Sequence, residues 1–160
     1  MFPIALALPH GLNKNLFSLN ANYVNVMKVL IVCSGNSHRS PIAEALLKKF
    51  RHDIHVDSAG VSPADFISRG ARAFLERENA SSYLKNSPEG LNEKKLDEYD
   101  LIVAMESEHK EAVLRQCPSC EKRIVIWNIE DPYFLPSAYE SKIFQQIKSK
   151  VQELASSLVT

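Results

Sequence analysis

The chain has 160 residues, 45% of them hydrophobic, and its 19 basic side chains balance 19 acidic ones, leaving no formal net charge. That length supports one compact domain with a full core, and the balance argues against a nucleic-acid or membrane surface as main partner, since either calls for a basic excess. No apolar run approaches the roughly 20 residues needed to span a bilayer, and three cysteines without regular spacing do not make a disulfide framework.

Residues 1–26 least resemble the remainder. Positions 2–8 are apolar, but no basic stretch precedes them and no convincing small-residue cleavage site follows, so they make a poor secretory signal. With Met27 directly before the first strand, we read 1–26 as an N-terminal extension, a flexible arm or an upstream start, and 27–160 as the domain. From there strand and helix alternate. Four apolar residues at 29–32 suit a strand buried on both faces, and Pro41 with Ile42, Ala45, Leu46, Leu47 and Phe50 predicts a helix over 41–50. A second strand is expected at 54–57 and a helix around 71–77, then an irregular loop over 79–92 rich in Ser, Asn, Pro and Gly. A short charged helix over 92–98, with a solvated charge run at 92–95, leads to a strand at 101–105. Ser107 is placed to cap the next helix, which stops before Pro118. A strand at 123–127 and a loop over 128–136 precede a last helix. Ser137 and Glu140 have capping-box spacing there, and Ile143, Ile147, Val151, Leu154 and Leu158 form its apolar stripe. Trp127 and Tyr99 read as core.

This pattern predicts a single α/β domain, a four-stranded parallel sheet flanked by helices on both faces with right-handed crossovers. Such sheets bind ligands at the carboxyl ends of their strands, where Cys33, Ser58, Glu106 and Asp131 fall. The first of these ends carries the most information. Between the strand and the helix lie Ser34, Gly35, Asn36, Ser37, His38, Arg39 and Ser40, and Gly35 and Asn36 tolerate left-handed backbone. A tight curl there turns successive N–H groups onto one anion-sized concavity, reinforced by the helix dipole. A Cys33 thiolate at its mouth is favoured by those groups, by Arg39 and by the Ser40 hydroxyl, and Arg39 offers a planar fork for two oxygens of a tetrahedral oxyanion. Asn36 is suited to fixing the curl, while His38 is expected to face solvent or a carbonyl and takes no catalytic role.

Asp131, followed by Pro132, reads on its own as a turn aspartate, since Asp-Pro favours turn initiation. Pro132 locks its backbone, and Tyr133 and Phe134 set aromatic surface beside it, suited to a flat ring. Cys117 and Cys120, separated by Pro118 and Ser119, make only half a structural zinc site and follow a helix rather than opening one, so they read as a plain surface turn.

The run Cys33-Ser-Gly-Asn-Ser-His-Arg-Ser-Pro-Ile-Ala-Glu44 resembles the active-site signature of the low-molecular-weight protein tyrosine phosphatases. The likeness extends over 27 to about 157 through Asp57-Ser-Ala-Gly60, Tyr99-Asp-Leu-Ile-Val-Ala-Met105 and Asp131-Pro-Tyr-Phe134. It implies strand order 2-1-3-4 and an enzyme that needs no cofactor or metal, and because a free catalytic thiol needs a reducing compartment we read the protein as cytoplasmic. Its substrate would be a phosphorylated protein or peptide and its product inorganic phosphate, reached through a cysteinyl-phosphate, with Asp131 as the second catalytic residue, a proton donor opposite the nucleophile for the departing alkoxide or phenolate. Three positions depart from the family: Ser37 stands for a bulky apolar residue, His38 for a second cysteine, and Asn86 near a histidine that supports the loop. Ser37 also brings the arginine-phosphatase members of the family into view. Arsenate reductase is disfavoured because Met105 and Glu106 stand where a resolving thiol would be expected. A non-catalytic oxyanion-binding module would be expected to lose Cys33 or Asp131.

Overall fold

A computed structural model describes residues 25–159. Most of the expected extension, residues 1–26, therefore lies outside the described residues. The elements run β1 (Lys28–Cys33), α1 (Arg39–Phe50), β2 (His55–Gly60), α2 (Arg69–Arg77), β3 (Leu101–Ala104), α3 (Ser107–Gln116), β4 (Ile124–Ile126) and α4 (Ser137–Ser157). The four strands form one parallel sheet in the order β2-β1-β3-β4, as the family resemblance implies. Val32 of β1 pairs with Ala59 of β2 and Ala104 of β3, so the three strands end level with Cys33.

Period-two alternation divides β1 between two cores. Val29, Ile31 and Cys33 join the larger, with α1, α2 and α4, while Leu30 and Val32 join the smaller, with Ala112 and Val113 of α3. Both sheet faces are thus covered, which is why the strand reads as a continuous apolar run. Phe74 of α2 and Phe144 of α4 meet at 5.4 Å between ring centroids. Phe144 belongs to the buried stripe with Ile143, Ile147, Val151 and Leu154. Burying each ring contributes about 1.5–3 kcal/mol, so the long C-terminal helix is pinned to the face that carries Cys33. Trp127 and Tyr99 are buried as expected.

Several local expectations are corrected. The segment 92–98 is not a helix but two 3₁₀ turns, Leu91–Glu93 and Leu96–Glu98, because Leu91 and Leu96 anchor it in the smaller core. Within that run Lys94 is not solvated: its ammonium is bound between Asp57 at 2.7 Å and Glu89 at 3.0 Å. Ser107 and Ser137 are the first helical residues rather than caps, with Glu106 and Pro136 at the cap positions. The pair Cys117 and Cys120 is not a plain surface turn but a disulfide, with Cys120 buried. Pro118 opens a 3₁₀ turn directly after α3, the Cys120 N–H bonds the Cys117 carbonyl at 3.0 Å, and the two Cα atoms come to 5.5 Å. No helix among the described residues is long and apolar enough to cross a membrane.

Candidate active site

The loop from Cys33 to Arg39 is shaped by what its carbonyls bind. Those of Cys33, Ser34, Gly35 and Ser37 accept the N–H groups of Val61, Ser62, Ala64 and Ser68 at 2.8–3.1 Å. A peptide unit points its N–H opposite its C=O, so the loop amides are left turned toward the concavity, as an anion nest requires. Asn36 takes left-handed backbone at φ 50°, whereas Gly35 does not use that freedom. The glycine that the loop requires is Gly60, at the end of β2. A Cβ there would meet Ser34 O at 2.7 Å and the Asn36 N and Gly35 C at 2.8 Å.

Cys33 Sγ accepts the Asn36 N–H at 3.3 Å and lies 2.9 Å from Ser40 Oγ. The direction of the second contact follows from a chain of bonds behind it. Ser58 and Glu44 are both buried, and the Ser58 hydroxyl donates to the Glu44 carboxylate at 2.9 Å. Ser58 Oγ in turn accepts from Asn36 Nδ2 at 2.9 Å, and the other Nδ2 hydrogen goes to Ser40 Oγ at 2.8 Å. The Ser40 hydrogen is then free for the sulfur. Lys85 closes the network, donating to the Ser58 carbonyl at 2.9 Å and lying 4.0 Å from Glu44, while Asn36 Oδ1 accepts the Glu89 N–H at 2.8 Å. Lys85 thus braces the loop from beside Asn86, where the resemblance would have put a histidine.

Arg39 is almost wholly buried at 1% exposure. Its Nη1 donates to Glu106 and, at 2.7 Å, to the Ile129 carbonyl. Its Nη2 reaches Ser34 Oγ at 3.2 Å and lies 3.5 Å from Asp131 Oδ2. Asp131 caps the 3₁₀ turn Pro132–Phe134 by accepting the Tyr133 N–H at 3.0 Å. Tyr133 and Phe134 stand exposed, packed edge to face at 5.0 Å. Together with Cys33, Ser34, Gly35, Ser37, His38, Arg39 and Asp131 they line a cavity of about 330 Å³. Every residue expected at the site lines that cavity except Asn36 and Ser40, which lie buried beneath it. The Ser37 hydroxyl donates to the Phe66 carbonyl at 2.7 Å. His38 is half-buried, and desolvation holds its pKa below the usual imidazole value against Asp131 and Glu140, which raise it.

Sequence reasoning noted Glu106 only as a strand-end residue, named Glu44 only as the last residue of the signature run with no role, and passed over His109 and Lys85. The available signal for Glu44 was a lone charge within the apolar pattern of α1. For Glu106 and His109 it was an i,i+3 pair opening a helix directly after a strand. Glu106, Glu108 and His109 bring donor atoms within 4.8 Å of one another. Glu106 is paired with Arg39, and both His109 ring nitrogens are bonded, so the cluster is committed to the loop rather than to an ion.

Residues 28–160 match the family model for low molecular weight phosphotyrosine protein phosphatase. The low molecular weight protein-tyrosine-phosphatase Wzb of Salmonella typhi is 33% identical over 116 residues, covering 66% of this chain and 76% of that protein. The protein-arginine-phosphatase of Bacillus subtilis is 35% identical over 97 residues, covering 56% of this chain and 63% of that one. Among solved structures, Vibrio vulnificus Wzb in complex with benzylphosphonate aligns with a TM-score of 0.75 at 25% identity, over 83% of this chain and 99% of that chain.

Proposed function

Since the chain belongs to the low molecular weight phosphotyrosine protein phosphatase family, we propose that it hydrolyses phosphotyrosine in proteins through a cysteinyl-phosphate on Cys33. The observation that carries this reading is the cavity whose lining brings Cys33, Arg39 and Asp131 together with Tyr133 and Phe134. The Cys33 thiolate attacks phosphorus in line, forming the S–P bond as the bond to the leaving oxygen breaks. The equatorial oxygens are held by Arg39 and by the N–H groups of the loop from Ser34 to Ser40, donors already in place before charge develops. Asp131 gives its proton to the departing phenolate. It then takes one from the water that hydrolyses the thiophosphate and releases inorganic phosphate. Ser40, its hydrogen directed at Sγ, stabilises the sulfur as it leaves. A working free thiol at Cys33 supports a reducing, cytoplasmic setting, against which the Cys117–Cys120 disulfide stands.

Ser37 supports a second reading, protein-arginine phosphatase. Ser37 lines the cavity, and with its hydroxyl hydrogen spent on the Phe66 carbonyl its oxygen keeps lone pairs able to accept from a guanidinium. The aromatic rings favour a phenyl group, although a ring can also stack on a guanidinium. The test has two parts. Cys33→Ser abolishes hydrolysis of an aryl phosphate while retaining fold and phosphate binding; turnover in that variant refutes the nucleophile. Values of kcat/KM on matched phosphotyrosine and phosphoarginine peptides, for native protein and Ser37→Ile, then separate the substrates. Ser37→Ile narrows the enzyme further toward aryl phosphates. A native preference for phosphoarginine beyond about a hundredfold, worth about 2.7 kcal/mol, replaces the tyrosine reading.

A further inference from the structure

His109 is a titratable side chain, 1% exposed, that the mechanism above leaves idle. Its Nδ1 lies 3.0 Å from the N–H of Glu106. An N–H can only donate, so Nδ1 is the bare nitrogen of the ring. Burial first, then the nearby Arg39 charge, push the pKa down to about 4, against the opposing effects of Glu106 and Asp131. The ring is therefore neutral at ordinary pH, and its one hydrogen sits on Nε2. That nitrogen is 2.8 Å from Ser34 Oγ, whereas the exposed Glu108 carboxylate is at 3.6 Å, so the hydrogen bond goes to Ser34.

Arg39 Nη2 reaches the same oxygen at 3.2 Å, and a guanidinium has no acceptor. Two incoming donors occupy the lone pairs of Ser34 Oγ. Its own hydrogen must then find an acceptor that is neither His109 nor Arg39, and among the described residues the hydroxyl meets no third group. Ser34 lines the cavity beside Cys33 and Arg39. We infer that His109 is a positioning residue that turns the Ser34 hydroxyl outward as a side-chain donor to the phosphoryl oxygens, additional to the amides of the loop. The inference rests on the phosphatase reading and names a contact that this reading leaves out.

Two side chains separate the halves of the imidazole. Asn at 109 presents its oxygen near the Nδ1 position and keeps the bond from the Glu106 N–H, but does not reach Ser34. Gln reaches further and carries N–H donors toward the Nε2 position. The experiment measures kcat and KM for p-nitrophenyl phosphate, the calorimetric affinity for inorganic phosphate, and the thermal midpoint. It covers the native protein, Ser34→Ala, His109→Asn, His109→Gln and Ser34→Ala/His109→Asn. A lost hydrogen bond to a charged group predicts a fall of about tenfold or more in kcat/KM for Ser34→Ala. A similar fall is expected for His109→Asn at an unchanged midpoint, substantial recovery in His109→Gln, and a double variant no worse than Ser34→Ala. Native phosphate affinity in Ser34→Ala overturns the inference, as does a His109→Asn loss that adds in full to that of Ser34→Ala. Absence of turnover by the native protein instead overturns the phosphatase reading, and the phosphate affinities still decide the role of Ser34.

Discussion

Lowering the pH from 7 to 4 should destabilise this protein through His109. The side chain has an ordinary value of 6.5 in an unfolded chain, and in the fold burial and Arg39 push it down to about 4. Between those two values the unfolded state holds the extra proton and the folded state does not. Stability therefore rises with pH across the window; it is fully present above about 6.5, falls as pH drops toward 4, and is flat below that. At about 1.4 kcal/mol per unit the whole interval is worth about 3 kcal/mol, a large share of the 5–15 kcal/mol that holds a typical domain folded. The structural event is specific, because a proton arriving at Nδ1 faces the Glu106 N–H and breaks that bond. Arg39 opposes the new charge, while Glu106, Glu108 and Asp131 soften it. Urea unfolding of native protein and His109→Gln at pH 7 and pH 4 isolates the contribution. His38, also depressed by burial, acts in the same direction in both proteins and cancels. The native protein should lose about 3 kcal/mol more than the variant. Parallel losses would refute a buried, neutral His109.

Gly60→Ala sets a Cβ against the backbone of Ser34, Gly35 and Asn36; kcat/KM should fall by about a hundredfold or more, as misplacement by an ångström does, and near-native rates would show that the loop yields. Arg39→Lys keeps the charge but loses the fork that holds Glu106, Ile129 and Ser34 and that is proposed to hold the phosphoryl oxygens. A loss of about a hundredfold in kcat/KM is expected, and native kinetics would remove the clamp. Cys33 is the free cysteine of the described residues, and Cys117 and Cys120 are bonded to each other. Prolonged peroxide should therefore carry Cys33 to irreversible acids; full recovery of activity with a thiol reductant contradicts this.

The loop of the candidate site was legible because its residues are contiguous. Cys33, Arg39 and Ser40 stand on one strand-turn-helix run, and an apolar strand followed by a helix start leaves little choice of where that turn lies. What propensity misjudged is what tertiary contact decides. The run at 92–98 has helical composition, yet Lys94 is drawn inward to Asp57 and Glu89 and Leu91 and Leu96 are drawn into the core, so the backbone settles into 3₁₀ turns. Cap spacing at Ser137 was satisfied on paper, but Pro136 already occupies the boundary and the serine falls inside the first turn. Counting cysteines tests for a framework of long loops and is blind to a bridge closed within one turn, which is what Pro118 permits.

The residues that hold the loop were illegible for a different reason, which the strand order explains. With β1 in the centre, the loop leaving Cys33 lies between the ends of two neighbours that are distant in sequence. From the β2 side come Gly60 and the N–H groups of residues 61–68, which bind the loop carbonyls and so aim its amides inward. From the β3 side come Glu106 and His109, which hold Arg39 and Ser34. One neighbour thus shapes the backbone of the site and the other orients its side chains. A substitution at the end of β2 should therefore disturb all anion binding together. One at the end of β3 should act through Arg39 or Ser34 and leave the amide nest intact, so the two classes separate in the ratio of phosphate affinity to kcat.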